Sequence, residues 1–145
     1  MCRLLGWASR TPTTLADLLG EDDLQAFTGL SARHADGWGV ARARARRGVA
    51  VRKQPVAART SARFARHAHR RRADLGLAHL RRATLGLPVG AANTHPFTDG
   101  AVAFAHNGSI SPPAALDALV PPGTAAGRRG TTDSERYFLA VLARL

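Results

Sequence analysis

Only one of the 145 residues is cysteine, and it is the second. A single thiol excludes an internal disulfide framework and any zinc site built from a cysteine cluster. Long apolar runs are missing as well. None approaches the ~20 residues that a membrane-spanning helix needs, so no membrane partner is expected. The N-terminus lacks a signal-peptide layout, because Leu4-Leu5-Gly6-Trp7-Ala8 is too short for an apolar h-region and Arg10 follows closely. These absences point to a cytoplasmic protein. There are no internal repeats and no inter-domain linker, so residues 1–145 are expected to form one domain. A chain of this size buries roughly two-thirds of its unfolded surface, enough for a modest core.

Lysine is almost absent. All but one of the 21 basic residues are arginine, Lys53 being the exception, and the 10 acids leave a net charge of +11. Such an excess invites a nucleic-acid hypothesis. Its detail argues the other way. Alanine, glycine and proline are abundant too, a pattern that reads as GC-rich coding bias. Many of the arginines cluster in two groups, Arg42, Arg44, Arg46, Arg47 and Arg52, then Arg59, Arg63, Arg66, Arg70, Arg71 and Arg72. The second group lies on an expected helix with few aromatics for bases to stack on. A solvated basic face is therefore expected in preference to a nucleic-acid site.

What is present reads as mixed strands and helices. Residues 3–8 read as a strand, and Thr13-Thr14 caps a helix running to about residue 19. Residues 21–32 read as a second helix, with its acids in the first turn where the helix dipole favours them. Strand 37–43 is entered through glycines, and 48–53 alternates as its hairpin partner. A helix is expected over 60–72, then buried-type strands over 75–80 and 101–106. Asn107-Gly108 is a turn signal. A helix is expected over 112–119, a Pro/Gly/Arg loop from Pro121 to Gly130, and a last helix over 134–144 capped by Thr132 or Asp133. Strands in hairpins mixed with helices indicate α+β.

The candidate chemistry starts at Cys2. A thiolate is the reactive form, and an ordinary cysteine is only slightly ionised at neutral pH, so it needs a base beside it. Removal of Met1 would expose an α-amine whose pKa of about 7.7–8.0 suits that task. Taken alone, Cys2 also reads as a small buried hydrophobe. Arg81 ends an expected strand, where a guanidinium can clamp a carboxylate with two parallel hydrogen bonds; a surface arginine is the plainer alternative. Asn93-Thr94-His95-Pro96-Phe97 reads as a polar loop packed under a site, with His95 structural. The Asn107 amide and the Gly108 N–H can converge as an oxyanion hole, or simply form a hairpin turn. Asp133 sits at a helix start, as an N-cap or as a grip for a substrate ammonium. Together these parts fit one substrate, an amino acid with an acyl side chain, and glutamine satisfies all of them.

Six segments in order carry a family resemblance: Met1-Cys2-Arg3-Leu4-Leu5-Gly6; His34-Ala35-Asp36-Gly37-Trp38-Gly39-Val40; His79-Leu80-Arg81-Arg82-Ala83-Thr84-Leu85-Gly86; Asn93-Thr94-His95-Pro96-Phe97; Phe104-Ala105-His106-Asn107-Gly108-Ser109-Ile110; and Thr132-Asp133-Ser134-Glu135. The sequence resembles the class II glutamine amidotransferases, within the N-terminal nucleophile hydrolases, and most of all their stand-alone bacterial members. The resemblance implies a four-layer αββα sandwich and hydrolysis of glutamine to glutamate and ammonia through a thioester. It implies Cys2 as nucleophile, with its amine as base, and Asn107 and Gly108 as oxyanion hole. Arg81 and Asp133 would hold the α-groups of glutamine, and Thr84 would lie beside Arg81 in the pocket. His34, Asp36, Gly37, Trp38 and Gly39 resemble the family's structural strand entry. No metal or organic cofactor is implied.

Two departures stand out. Arg82 occupies a pocket position where these enzymes usually carry an aromatic residue. The chain also stops just after the Asp133 motif, so the sandwich is expected to be incomplete, as the N-terminal portion of a longer domain. A related γ-glutamyl amide, such as the one cleaved in ergothioneine biosynthesis, is an alternative substrate class. The alternative from another class is an inactive fragment acting at most as a basic binding module. The sequence identifies no ammonia-accepting partner.

Overall fold

The computed structural model describes residues 2–44, 48–84 and 86–145. Met1, Leu85 and residues 45–47, with Arg46 and Arg47 of the first arginine group, lie outside the described residues. Strand β1 spans Arg3–Thr13. The Thr14 hydroxyl then accepts from the Asp17 N–H at 2.9 Å and so caps α1, Leu15–Leu19. Helix α2, Glu21–Gly29, carries Glu21, Asp22 and Asp23 in its first turn and runs into a 3₁₀ turn over Leu30–Ala32. A hairpin follows, β2 (Gly37–Arg44) against β3 (Gly48–Gln54). Ser61 caps α3, Ala62–Arg70, by accepting from the Phe64 N–H. Strand β4 is Ala73–Arg81.

These four strands form one antiparallel sheet in the order β1-β4-β2-β3. Side chains alternate across it. In register, Trp38 faces Leu80 and Leu5 faces Ala78, so these residues share one side. That side packs on α1, α2 and α3 through Trp7, Val40, Leu15, Leu24, Phe64 and Ala68. The Trp38 and Phe64 rings meet edge-on at 5.3 Å.

The opposite face of β4 carries His79 and Arg81. A loop presses onto it so closely that a Cβ on Gly39 would lie 1.9 Å from the His95 carbonyl oxygen, which only glycine permits. Beyond the loop lies a second, two-stranded sheet, β5 (Phe97–Thr98) with β6 (Ala103–Phe104). A 3₁₀ segment over Pro113–Leu119 and the single turn α4, Pro122–Ala125, lead to α5, Asp133–Leu142, which Thr132 caps. Helix α5 covers the small sheet, with Phe138 stacked 6.3 Å from Phe97 and 5.8 Å from Phe104. The layers therefore run helices, four-stranded sheet, two-stranded sheet, helix. This is the mixed α+β arrangement the sequence leads one to expect.

Three local expectations need correction. The strand over 101–106 shrinks to two half-buried residues, because β6 pairs only with β5 among the described residues. β1 continues past Ala8 to Thr13 through an irregularity in its pairing with β4. The loop from Pro121 to Gly130 contains α4. No helix among the described residues is long and apolar enough to cross a membrane.

Candidate active site

The antiparallel register of β1 on β4, with Arg3 opposite Leu80, puts Cys2 next to the end of β4. The Cys2 Sγ accepts from the Arg82 N–H at 3.3 Å and faces the Arg82 carbonyl oxygen at 3.4 Å, which accepts the thiol hydrogen. The Asn107 amide donates from Nδ2 to the Cys2 carbonyl oxygen at 3.0 Å. A small cavity of about 40 Å³ opens here, lined by Cys2, Arg81, Thr84, Gly108 and Asp133 among others. Five of the six site residues expected from sequence thus share one cavity. The sixth, Asn107, does not line it and is tied to Cys2 instead. Larger grooves elsewhere, of about 690 Å³ between α2 and α3 and about 640 Å³ over β5 and α5, contain none of these residues.

Arg81 is buried, with 3% of its surface exposed. Its Nη2 donates to the Pro88 carbonyl at 3.2 Å, while Nη1 is buried without a partner among the described residues. Burial lowers its pKa, and the Asp36 carboxylate partly opposes that effect. A buried, unsatisfied N–H costs about 1–3 kcal/mol. A ligand carboxylate would remove that cost, which is the chemistry an anion-binding arginine needs.

Asp133 begins α5, yet it is Thr132 that caps the helix by accepting from the Glu135 N–H. The Asp133 Oδ2 instead accepts from the Ile110 N–H at 2.6 Å and so pins the segment that follows Gly108. Each carboxylate oxygen has more than one acceptor direction, so Asp133 retains capacity for a cation. Asp36, at the start of the His34–Val40 segment, holds the Ala83 N–H at 2.8 Å. Its part is to shape the chain that carries Arg82, Ala83 and Thr84.

Sequence reasoning missed several neighbours. His106 and Ser134 also line the cavity, and the His106 Nδ1 lies 3.1 Å from the Ser134 hydroxyl. Asn93 ties the two sides of the site together. It donates to the Pro88 carbonyl and to Thr131 Oγ1, and accepts from the Thr131 N–H at 2.8 Å. Glu135 accepts from the Arg129 and Gly130 N–H groups and closes the loop before α5. The available signal was adjacency, since His106 precedes Asn107 and Ser134 follows Asp133. The described residues contain no cluster of three or more His, Cys, Asp or Glu able to hold a metal ion.

A model of the family described as glutamine amidotransferases class-II matches residues 1–145. The chain belongs to the class II glutamine amidotransferases. Membership in that family supports a hydrolase or transfer role on a glutamine-type amide. The fold agrees. This amidotransferase chain is similar to a solved glutamine aminotransferase class-II domain protein from Silicibacter pomeroyi, with a TM-score of 0.67 and 23% identity. The match covers 99% of the present chain and 55% of that one, so the present chain spans about half the neighbour's length. No curated protein matches the sequence.

Proposed function

We propose that this amidotransferase chain hydrolyses the side-chain amide of glutamine, or of a related γ-glutamyl amide, to glutamate and ammonia or an amine. The observation that carries the reading is the meeting of Cys2, Arg81, Thr84, Gly108 and Asp133 on one cavity, from four separate places in the chain. In this reading Arg81 takes the α-carboxylate with its unpartnered Nη1, Asp133 takes the α-ammonium, and Thr84 lines the pocket beside them. The amide carbon then faces Cys2.

Loss of Met1 would free the α-amine of Cys2. That amine accepts the thiol proton, and the thiolate attacks the amide carbon. Negative charge grows on the carbonyl oxygen. The Gly108 N–H and the second Asn107 amide hydrogen stabilise it, the first being held by the Cys2 carbonyl. The C–N bond breaks as the α-ammonium returns a proton to the leaving nitrogen. Water then attacks the thioester, releasing glutamate and the thiol.

Glutamate release from glutamine tests the reading. Cys2→Ser should lower the rate by at least ~10³-fold, as loss of a nucleophile does elsewhere. The thermal midpoint should stay unchanged. A serine variant that retains the wild-type rate would refute the assignment.

A further inference from the structure

The mechanism above leaves the helix layer without a task. Helix α3 in that layer contains no acidic residue. Its Phe64 and Ala68 are buried in the core beneath it. Arg63, Arg66 and Arg70 stand exposed, three and four residues apart, so they share one side of the helix. Arg59 is exposed four residues before Arg63, and Arg71 is exposed at the helix end. Like charges at such spacings repel one another. None of these five arginines forms an ion pair with a described residue, whereas Arg72 pairs with Asp17, and Arg128 and Arg136 pair with Asp117.

The sheet adds to the same surface. Arg52 stands opposite Val40, which belongs to the core under the helices, so Arg52 lies on the helix side of the edge strand β3. Arg42, two residues beyond Val40 on β2, lies on that side too. His67 of α3, its ring 6.2 Å from that of Trp38, marks where these groups converge. Burial, then the charges of Arg42, Arg71, Arg52 and Arg63, lowers its pKa to about 4. All four charges are positive. The two arginine groups, separate in the sequence, therefore meet around one half-buried imidazole. That meeting is what a reading of the sequence as a merely solvated basic face could not show.

Phosphates at regular spacing complement such a surface. From Arg63 to Arg70 the stripe runs about 10 Å, at about 1.5 Å per residue. One strand of a duplex presents a phosphate about every 3.4 Å of its axis, so the stripe spans about three of them. The scarcity of aromatics weighs against stacking on unpaired bases, but not against a duplex held by its backbone. A bilayer is the poorer fit, because no large apolar side chain is exposed between residues 59 and 72 to enter it.

We infer that the α3 face is a docking surface for double-stranded nucleic acid, gripped through its phosphates without readout of sequence. It lies across the four-stranded sheet from the candidate active site, so duplex binding and amide hydrolysis are separable.

The test is fluorescence anisotropy with a short labelled duplex of mixed sequence, as DNA and as RNA. At least one of the two should bind, with affinity falling on the order of 100-fold between roughly 50 and 200 mM salt. Arg63→Gln, Arg66→Gln and Arg70→Gln combined should weaken binding at least ~10-fold and reduce the slope against log salt by about 3. The same charge removed elsewhere, through Arg10→Gln, Arg33→Gln and Arg129→Gln, should change binding far less. Equal losses in the two triple variants would mean that net charge alone binds, and would overturn the inference. So would absence of binding at low salt, or binding to phosphatidylserine vesicles as tight as to the duplex. If the α3 variant fails to fold, wild type decides by NMR. Duplex should shift the His67 imidazole signals and leave in place those of His106, which lines the site cavity. Unmoved His67 signals would overturn the inference.

Discussion

Leu80 and His79 are neighbours on β4 and meet opposite chemistry. Leu80 enters a cluster of Trp38, Phe64, Leu24 and Ala68 between the sheet and its helices, where hydrocarbon packs on hydrocarbon. His79 enters the other face, its ring tilted against that of His95 at 4.4 Å, and His95 in turn meets Phe97 edge-on at 4.6 Å. Both nitrogens of each imidazole are buried without a partner among the described residues, as is Arg81 Nη1. One face is arranged for stability. The other keeps polar groups out of water with incomplete satisfaction, an arrangement that costs stability and recurs where function requires it. The strand's two-residue period sorts these roles, because one step along the chain moves a side chain from one environment to the other.

That contrast can be broken most strongly on the helix side. Phe64 is 2% exposed and packed against Trp38. Phe64→Ala should destabilise the protein by about 3–5 kcal/mol in chemical denaturation. Its effect on turnover should follow only from the loss of folded protein. A variant as stable as wild type would mean that the helix layer is not the main core.

The next effect in size belongs to the imidazole pair. Burial, then Arg81 and His34, lowers the pKa of His79 to about 4. Burial, then His79, Lys53, His106 and Arg81, lowers that of His95 to about 2. Below pH 6.5 the unfolded chain takes up protons at these positions and the folded chain does not. Stability is therefore full above about pH 6.5 and falls as pH drops towards 4, with His95 extending the loss further down. His79 should account for about 3 kcal/mol across that window. Denaturation midpoints measured from pH 7 to 4 should decline steeply in wild type and less steeply in His79→Gln. Parallel curves would show that His79 is protonated in the folded state.

The smallest effect sharpens the contrast on the site face alone. Arg81→Met keeps the bulk and removes the buried charge. Binding of the substrate carboxylate should weaken by about 1.5–3 kcal/mol, seen as a rise in KM. Stability should hold or increase, since an apolar side chain of similar volume avoids the desolvation of a buried cation. A large loss of stability with unchanged KM would make Arg81 a structural residue.

Much of this was legible in the sequence because it rests on local signals. Thr14 and Thr132 are cap residues by chemistry, and both cap. The β2–β3 hairpin follows from its alternation, and the helix face of β4 from Ala78 and Leu80. The segments that carry the candidate site residues can be named from the sequence, and one cavity brings together all of those candidates but Asn107. What escaped is short or non-local. Phe97–Thr98 is too brief for any period to mark it as a strand, and it pairs with Ala103–Phe104 across a turn. The extension of β1 to Thr13 depends on Ala73 as a distant partner, with Pro12 arguing locally against a strand. Asn107-Gly108 read both as a turn and as a candidate oxyanion hole; the bond from its amide to the Cys2 carbonyl, 105 residues away, is the part no local signal carries. Asn93 looked like part of a polar loop. Its partners Pro88 and Thr131 come from both sides of the site, and only the folded chain brings them together.

The central claim is that Cys2 is a reactive nucleophile in an assembled glutamine pocket. Intact mass before and after exposure to a glutamine-like diazoketone tests it most directly. The account predicts protein lacking Met1 that gains a single adduct on Cys2, with excess glutamine protecting it and Arg81→Met slowing the reaction. Processed, folded protein that gains no adduct would contradict it.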